Sequence, residues 1–411
     1  AFPAILAGEH VARYFIEDAM QGVDYLVSRP EVDADRIGAF GCSGGGAVTA
    51  YLAALDERVQ AAATACYVTD FEHLLTTAGA QEAEQSIPGF IASGLDIADW
   101  VELAAPKPYA VISTTEDMFP FAGAEAAVDE ARGFWAAYGS ADRLEWITGP
   151  GGHGTIAPLG DEIVGFFRRA LKAEAPDVAF TPLRPDDPSA LLATATGQLM
   201  TSTETVTLAD LERARIESIR PQSPLSPAAL SGAIVELANV QPGPGGVPAV
   251  TAVSEDAENG LTVAKFQLAS RIGPLDLRLI EVENAGVQPL LLVLDSAPMD
   301  FIARSDGPLA ILAREGWTVV ALQVRGADGE GEAKSAYVGD QNLLALTAML
   351  VGYTLPGLRI DDAIAAMDWI ESAMKGRSVT VLGVGFMGPV ALQAALLDPR
   401  IDAVRIEGSP V

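Results

Sequence analysis

The sequence predicts an α/β protein made of two similar parts, each with a mostly parallel sheet. Short apolar runs alternate with amphipathic segments in both halves, which is typical of parallel strands joined by helices. A stretch rich in proline and threonine separates the halves, and a strand–turn–helix motif of the first half recurs in the second. The length of 411 residues also favours two domains over one.

The first domain is placed at residues 1–178. An amphipathic helix starts near residue 9 and stops before Pro30. The segment 70–105 is longer than a normal crossover, so we expect it to form a cap over a site. Buried strands are predicted at "DRIGAFGCS", "VQAAATACYV", "PYAVISTTED" and "RLEWITGPGG", with helices after Gly44, near 122–138 and near 160–172.

Residues 179–248 are predicted to be a linker with short helices. Thr207 and Ser226 are suitable N-caps for two of these helices, and the cluster "QPGPGGVP" ends the segment. The second domain is placed at 249–411. Its predicted strands lie around 276–283, 289–295, 317–324 and 378–383, with helices at 360–374 and after Gly388.

The two parts align with one another at an offset of 342 residues. This alignment indicates duplication of a long unit, and it puts Gly385 opposite Ser43. The matched residues are Gly41, Gly46, Val48, Ala53, Leu55, Asp56, Arg58 and Ala61 in the first part and Gly383, Gly388, Val390, Ala395, Leu397, Asp398, Arg400 and Ala403 in the second.

Charge and composition exclude several classes of partner. The formal net charge of −29 argues against binding to nucleic acid or to an anionic membrane. No apolar run is long enough to cross a bilayer, so we expect this part of the protein to be soluble. The chain begins at Ala1 without Met or a signal peptide, and we expect it to be a fragment or a processed piece.

The stretch Gly41-Cys42-Ser43-Gly44-Gly45 places a serine on a sharp turn between a predicted strand and a helix. This G-x-S-x-G pattern is typical of a nucleophilic serine, because the strained turn projects the hydroxyl from the sheet edge and the glycines let the turn pack. Cys42 precedes the serine and is expected to point into the fold as a structural cysteine. The sequence does not decide whether Cys42 and Cys66 form a disulfide bridge.

A nucleophilic serine needs a base and an acid that orients the base. His153, in "GPGGHG" after a strand, is the candidate base, and Asp117, in "STTEDMFP" at another strand end, is the candidate acid. Glu116 is the alternative acid. The other two histidines, His10 and His73, are expected to have surface roles, although His73 in the cap could reach substrate.

These motifs, with "RPEVDADRIGAFGCSGGGAVTAYLAALDERV" and "CYVTDFEHLL", resemble the dienelactone hydrolase and acetyl xylan esterase branch of the α/β-hydrolases. The resemblance covers residues 9–172 and implies two tandem α/β-hydrolase-like domains, both incomplete in this chain. It implies ester hydrolysis by Ser43, Asp117 and His153 without cofactor or metal, the Gly44 N–H serving as an oxyanion donor. The substrate would be a small-molecule or carbohydrate ester. A secreted or periplasmic location is compatible with the resemblance.

Two other functions remain open. Gly383, Gly385 and Gly388 form a G-x-G-x-x-G turn with Glu407 nineteen residues further on, as in dinucleotide-binding oxidoreductases. The alignment with the first part favours a nucleophile turn that has lost its serine. The chain could also be a non-catalytic binding or scaffold protein, if the first domain is incomplete.

Overall fold

The computed structural model describes residues 2–172 and 186–409, except 242, 244 and 327–339. The chain divides into two units, Ala1–Arg220 and Pro221–Val411. The predicted linker, 179–248, is divided between them, and its residues 179–185 lie outside the described residues. Each unit is described by itself.

The N-terminal unit contains a four-stranded sheet in the order β1-β2-β3-β4, with all neighbouring strands parallel. Helices lie between successive strands, as the alternating sequence pattern predicts. The elements are α1 (Phe2–Leu6), α2 (Val11–Val27), β1 (Ile37–Cys42), α3 (Gly44–Leu55), β2 (Val59–Ala65), α4 (Phe71–Thr77), α5 (Ile97–Glu102), β3 (Tyr109–Glu116), α6 (Phe121–Ala137), β4 (Leu144–Gly152), α7 (Gly160–Ala170), α8 (Leu199–Ser202) and α9 (Leu208–Ile219).

The two central strands of this sheet, β2 and β3, are mostly buried, whereas the edge strands β1 and β4 are mostly half-buried or exposed. In β2, "VQAAATA", all residues but Gln60 are buried, which is usual for a parallel strand covered on both faces. The segment between β2 and β3 packs against α3 and α6, where the hydroxyl of Tyr51 donates to the carbonyl of Glu84 over 3.1 Å. These contacts are with helices, and the cap over a site stays a prediction.

The C-terminal unit contains a seven-stranded sheet in the order β11-β10-β8-β9-β7-β6-β5. A large apolar core lies around β8, β10 and the long helix α14. Its elements are α10 (Pro227–Ala238), β5 (Val250–Glu258), β6 (Leu261–Ser270), β7 (Gly273–Val282), β8 (Leu290–Asp295), α11 (Met299–Ile302), α12 (Pro308–Arg314), β9 (Thr318–Gln323), α13 (Asp340–Leu350), α14 (Leu355–Ala373), β10 (Val379–Val384), α15 (Gly388–Leu397) and β11 (Ala403–Glu407).

The α/β class is confirmed, but the second sheet is mixed where a mostly parallel one was expected. Among its described strands, β11, β10, β8 and β9 are parallel, and β7, β6 and β5 pair antiparallel. The cause is local. Asn259 and Gly260 connect β5 to β6 with φ angles of 55° and 75°, and two such residues form the tight turn of a hairpin.

The offset of 342 residues also relates local structures of the two units. It carries β1 onto β10 and most of α3 onto α15. The arginine after each helix pairs in the same way: Arg58 Nε lies 2.9 Å from Asp56 Oδ1, and Arg400 Nε lies 2.9 Å from Asp398 Oδ1. Equal backbone and side-chain geometry at matched positions supports duplication of the unit.

Within the described residues, no single helix has both the length and the apolar character to cross a membrane. The pair Gln341–Leu350 and Leu355–Ala373, bent by 92°, meets those two requirements together.

Candidate active site

Four chain segments meet at one edge of the N-terminal sheet, because parallel strands place their carboxyl ends together. Ser43 follows β1, Cys66 follows β2, Asp117 follows β3 and His153 follows β4. The structure brings these four side chains into one cluster. The carboxyl edge of an open parallel sheet is also where ligands generally bind.

His153 links Ser43 to Asp117 through its two ring nitrogens. Nε2 lies 2.8 Å from Ser43 Oγ, and Nδ1 lies 2.7 Å from Asp117 Oδ1. An ionised carboxylate can only accept hydrogen bonds, so Nδ1 is the nitrogen that carries the proton. Nε2 then offers its lone pair to the serine hydroxyl. This is the arrangement that allows an imidazole to remove a proton from a serine.

The backbone at Ser43 has the strained turn that the motif predicts. Its φ of 59° lies in the left-handed region, where residues other than glycine are uncommon, and its N–H donates to Ala65 O over 2.9 Å. A Cβ on Gly41 would lie 2.0 Å from Gly45 O, and one on Gly46 would lie 2.8 Å from Ala65 O. These two glycines are therefore required for the turn to pack.

Asp117, rather than Glu116, makes the contact with the histidine. The Asp117 side chain is 2% exposed, and it accepts further hydrogen bonds from Phe119 N at 3.0 Å and from Thr114 Oγ1 at 3.3 Å. Glu116 is exposed at the end of β3. Phe119 and Thr114 were not singled out from the sequence; the only signal was their closeness to the candidate acid in "STTEDMFP".

A glycine-rich loop presents His153. Gly151 and Gly154 have φ angles of 119° and 79°, which side chains rarely allow, so the loop can turn sharply on both sides of the histidine. Thr114 Oγ1 donates to Gly152 O over 3.1 Å and ties this loop to β3. The His153 side chain is 31% exposed and remains open to a substrate.

Both cysteines are free, and Cys66 lies beside the acid and the base. Ligand atoms of Cys66, Asp117 and His153 lie within 4.8 Å of one another, a spacing that could admit a metal ion. Burial, with a smaller effect of the Asp117 carboxylate, raises the pKa of the Cys66 thiol to about 12. The thiol is therefore protonated at neutral pH, which does not favour metal binding.

The other predicted residues lie as follows. Gly44 is the first residue of α3, so its N–H is among those that a helix does not pair internally, as an oxyanion donor requires. His73 Nδ1 lies 2.8 Å from both oxygens of Asp70. His10 is half-buried where a surface role was expected: it caps α2, and burial lowers its pKa.

Gly385 has nearly the same φ angle as its counterpart Ser43, 56° against 59°. Cβ atoms on Gly383 and Gly388 would lie 2.6 Å from Met387 O and 2.3 Å from Ser409 Oγ. The same spacing of crowded glycines therefore serves the same kind of turn in both units. Glu407 is exposed at the end of β11.

Comparison with known proteins finds similarity to an esterase family and to a hydrolase. Residues 9–93 match the acetyl xylan esterase (AXE1) family model. The chain is 27% identical over 173 residues to "Putative hydrolase YtaP" of Bacillus subtilis (strain 168), a match of 41% of this chain and 56% of the relative. The chain thus spans about half the length of this curated relative.

Solved structures of esterases are also similar, at low TM-scores. A structure described as a putative acetyl xylan esterase from Bacteroides fragilis has 15% identity and a TM-score of 0.41, covering 49% of this chain and 60% of its own. Acetyl xylan esterase 1 from Thermoanaerobacterium has 20% identity and a TM-score of 0.30, covering 38% and 51%. The match of residues 9–93 to the family model, on a strand–turn–helix segment, makes the N-terminal unit similar to acetyl xylan esterases of the α/β-hydrolase type.

Proposed function

We propose that the N-terminal unit is a serine hydrolase that cleaves carboxylic esters through an acyl-enzyme. The observation that carries the proposal is the unbroken hydrogen-bonded chain from Ser43 through His153 to Asp117, with distances of 2.8 Å and 2.7 Å. The match of residues 9–93 to the acetyl xylan esterase family supports the same chemistry.

The reaction has two halves. In the first, Nε2 of His153 takes the hydroxyl proton while Oγ of Ser43 bonds to the ester carbonyl carbon. The imidazolium then gives that proton to the leaving alcohol oxygen as the ester C–O bond breaks. In the second half, His153 takes a proton from water, whose oxygen attacks the acyl carbon. The acid leaves, and the proton returns to Ser43.

Other groups support these steps. Asp117 keeps the Nδ1 proton in place, so that Nε2 is the nitrogen that acts as base, and it stabilises the imidazolium. The Gly44 N–H donates to the carbonyl oxygen as negative charge develops on it; such a donor contributes about 10²–10³-fold in rate. Acetylated carbohydrate is the proposed substrate class, by analogy with the matched family.

A fluorophosphonate probe tests the mechanism, because it labels only an activated serine. We expect labelling at Ser43, and we expect Ser43→Ala to abolish labelling and lower acetate release from p-nitrophenyl acetate by at least about 10³-fold. Ser93→Ala is the matched control, since Ser93 is exposed and bonds only within its own turn. A folded chain without labelling or turnover would instead favour a scaffold. Acetate release from acetylated xylan then tests the substrate class.

A further inference from the structure

Phe119 contacts the acid and the base together. Its N–H donates to Asp117 Oδ1 over 3.0 Å, and its ring stacks on the His153 imidazole with centroids 5.7 Å apart and planes inclined by 27°. Phe119 is only 4% exposed. One residue thus fixes an oxygen of the acid through its backbone and faces the base with its ring.

The Phe119 ring is itself held from behind. Tyr67, buried after β2, packs edge-on against it with centroids 6.1 Å apart and planes at 62°. The next residue, Pro120, accepts a hydrogen bond from Thr69 Oγ1 over 3.1 Å. Tyr67 and Thr69 follow the end of β2, and Phe119 follows the end of the neighbouring strand β3. Contacts between the two segments therefore hold the Phe119 ring in place as a wall beside the more exposed imidazole of His153.

This wall also has an electrostatic effect. The face of an aromatic ring carries partial negative charge, and a cation within about 6 Å of its centroid is attracted to it. His153 becomes a cation each time it takes the proton of Ser43. The titratable groups that face His153 among the described residues are Asp117, the protonated thiol of Cys66 and, beside the loop at Gly152, the exposed Glu116.

We propose that Phe119 is a positioning residue: its ring holds the His153 imidazole in line between Ser43 and Asp117 and favours its protonated form during the reaction. This inference rests on the proposed function. It predicts that the aromatic face, rather than bulk alone, is needed at this position.

The test compares Phe119→Leu, which keeps most of the volume but removes the ring, with Phe119→Tyr, which keeps the ring. For Phe119→Leu, we expect the acidic limb of the pH profile of kcat/KM to move to lower pH by about half a unit, and kcat to fall by about fivefold with little change in KM. Phe119→Tyr should keep the limb at the wild-type position. Phe121→Leu is the matched control, because Phe121 stacks on Trp146 instead, with centroids 5.1 Å apart.

The position of the limb decides the result. A limb that stays in place in Phe119→Leu, or that moves equally in Phe119→Tyr or Phe121→Leu, would overturn the inference. NMR titration of the His153 ring gives the same midpoint without turnover, and with three histidines in the chain its signal can be assigned. If the wild type is neither labelled nor active, the proposed function fails; the NMR midpoint in Phe119→Leu still tests the stacking.

Discussion

Glu102 is a buried carboxyl group that should make the N-terminal unit less stable at alkaline pH. The residue ends α5 and is 7% exposed, and its Oε1 has no hydrogen-bond partner among the described residues. Burial, followed by the charges of Glu130 and Asp99, raises its pKa from 4.5 to about 7. The folded unit therefore favours the protonated carboxyl.

The sign and size of the effect follow from this difference. The contribution of Glu102 to the unfolding free energy is fully present below pH 4.5 and is lost as the pH rises to about 7, because Glu102 ionises at a lower pH in the unfolded chain than in the folded unit. Above about pH 7, the loss is complete. The difference between the two pKa values corresponds to about 3 kcal/mol of unfolding free energy. We expect Glu102→Gln, which is neutral at every pH, to regain that amount at about pH 8.5 and little at about pH 4.5.

Urea unfolding followed by tryptophan fluorescence measures this gain, since Trp100 lies in the same helix. Glu125→Gln is the control, because Glu125 lies exposed on α6. The reasoning is refuted if Glu102→Gln changes the unfolding free energy equally at both pH values, or if it destabilises the unit at alkaline pH.

Three further outcomes are expected. Asp117→Asn should lower kcat for p-nitrophenyl acetate by about 10²–10⁴-fold, whereas Glu116→Gln should have little effect. Equal losses of kcat in the two variants would contradict the role of Asp117 as the acid. Gly41→Ala should abolish fluorophosphonate labelling, because its Cβ would lie 2.0 Å from a carbonyl oxygen, while Gly45→Ala, which meets no atom within 4 Å, should keep it. Arg400→Ala should lower the urea stability of the C-terminal unit by about 3 kcal/mol, since it removes the ion pair of the 1%-exposed Asp398 side chain and leaves it the hydrogen bond from the backbone N–H of residue 400. An unchanged midpoint would contradict this.

The closeness of the three site residues could be predicted from sequence, because it depends on strand order. Ser43, Asp117 and His153 each follow a short buried run, and parallel strands bring such ends together whatever their side chains. The choice of Asp117 over Glu116 was harder, since neighbouring residues at a strand end point in different directions. The fold also requires Gly41 and Gly46 on either side of Ser43, and the sequence shows both directly.

Other features depend on packing and left little trace in the sequence. The stacking of Phe119 on His153 joins residues that are distant along the chain, and no periodic pattern encodes it. The hairpin of β5 and β6 had a usable signal in Asn259-Gly260. Every residue of β5 is exposed, however, so the strand lacks the alternation of apolar and polar residues by which strands are recognised.

The positive φ angle shared by Ser43 and Gly385 has a consequence for how the second unit could change. Glycine adopts a positive φ angle without the strain that a side chain brings, so Gly385 occupies its turn with less strain than Ser43 does. A Cβ on Gly385 would meet no atom within 4 Å, so a hydroxyl could be put back there. The C-terminal unit contains no histidine, so a serine placed at this position would have no imidazole base within its own unit. In the C-terminal unit, this turn therefore joins β10 to α15 without carrying a nucleophilic side chain.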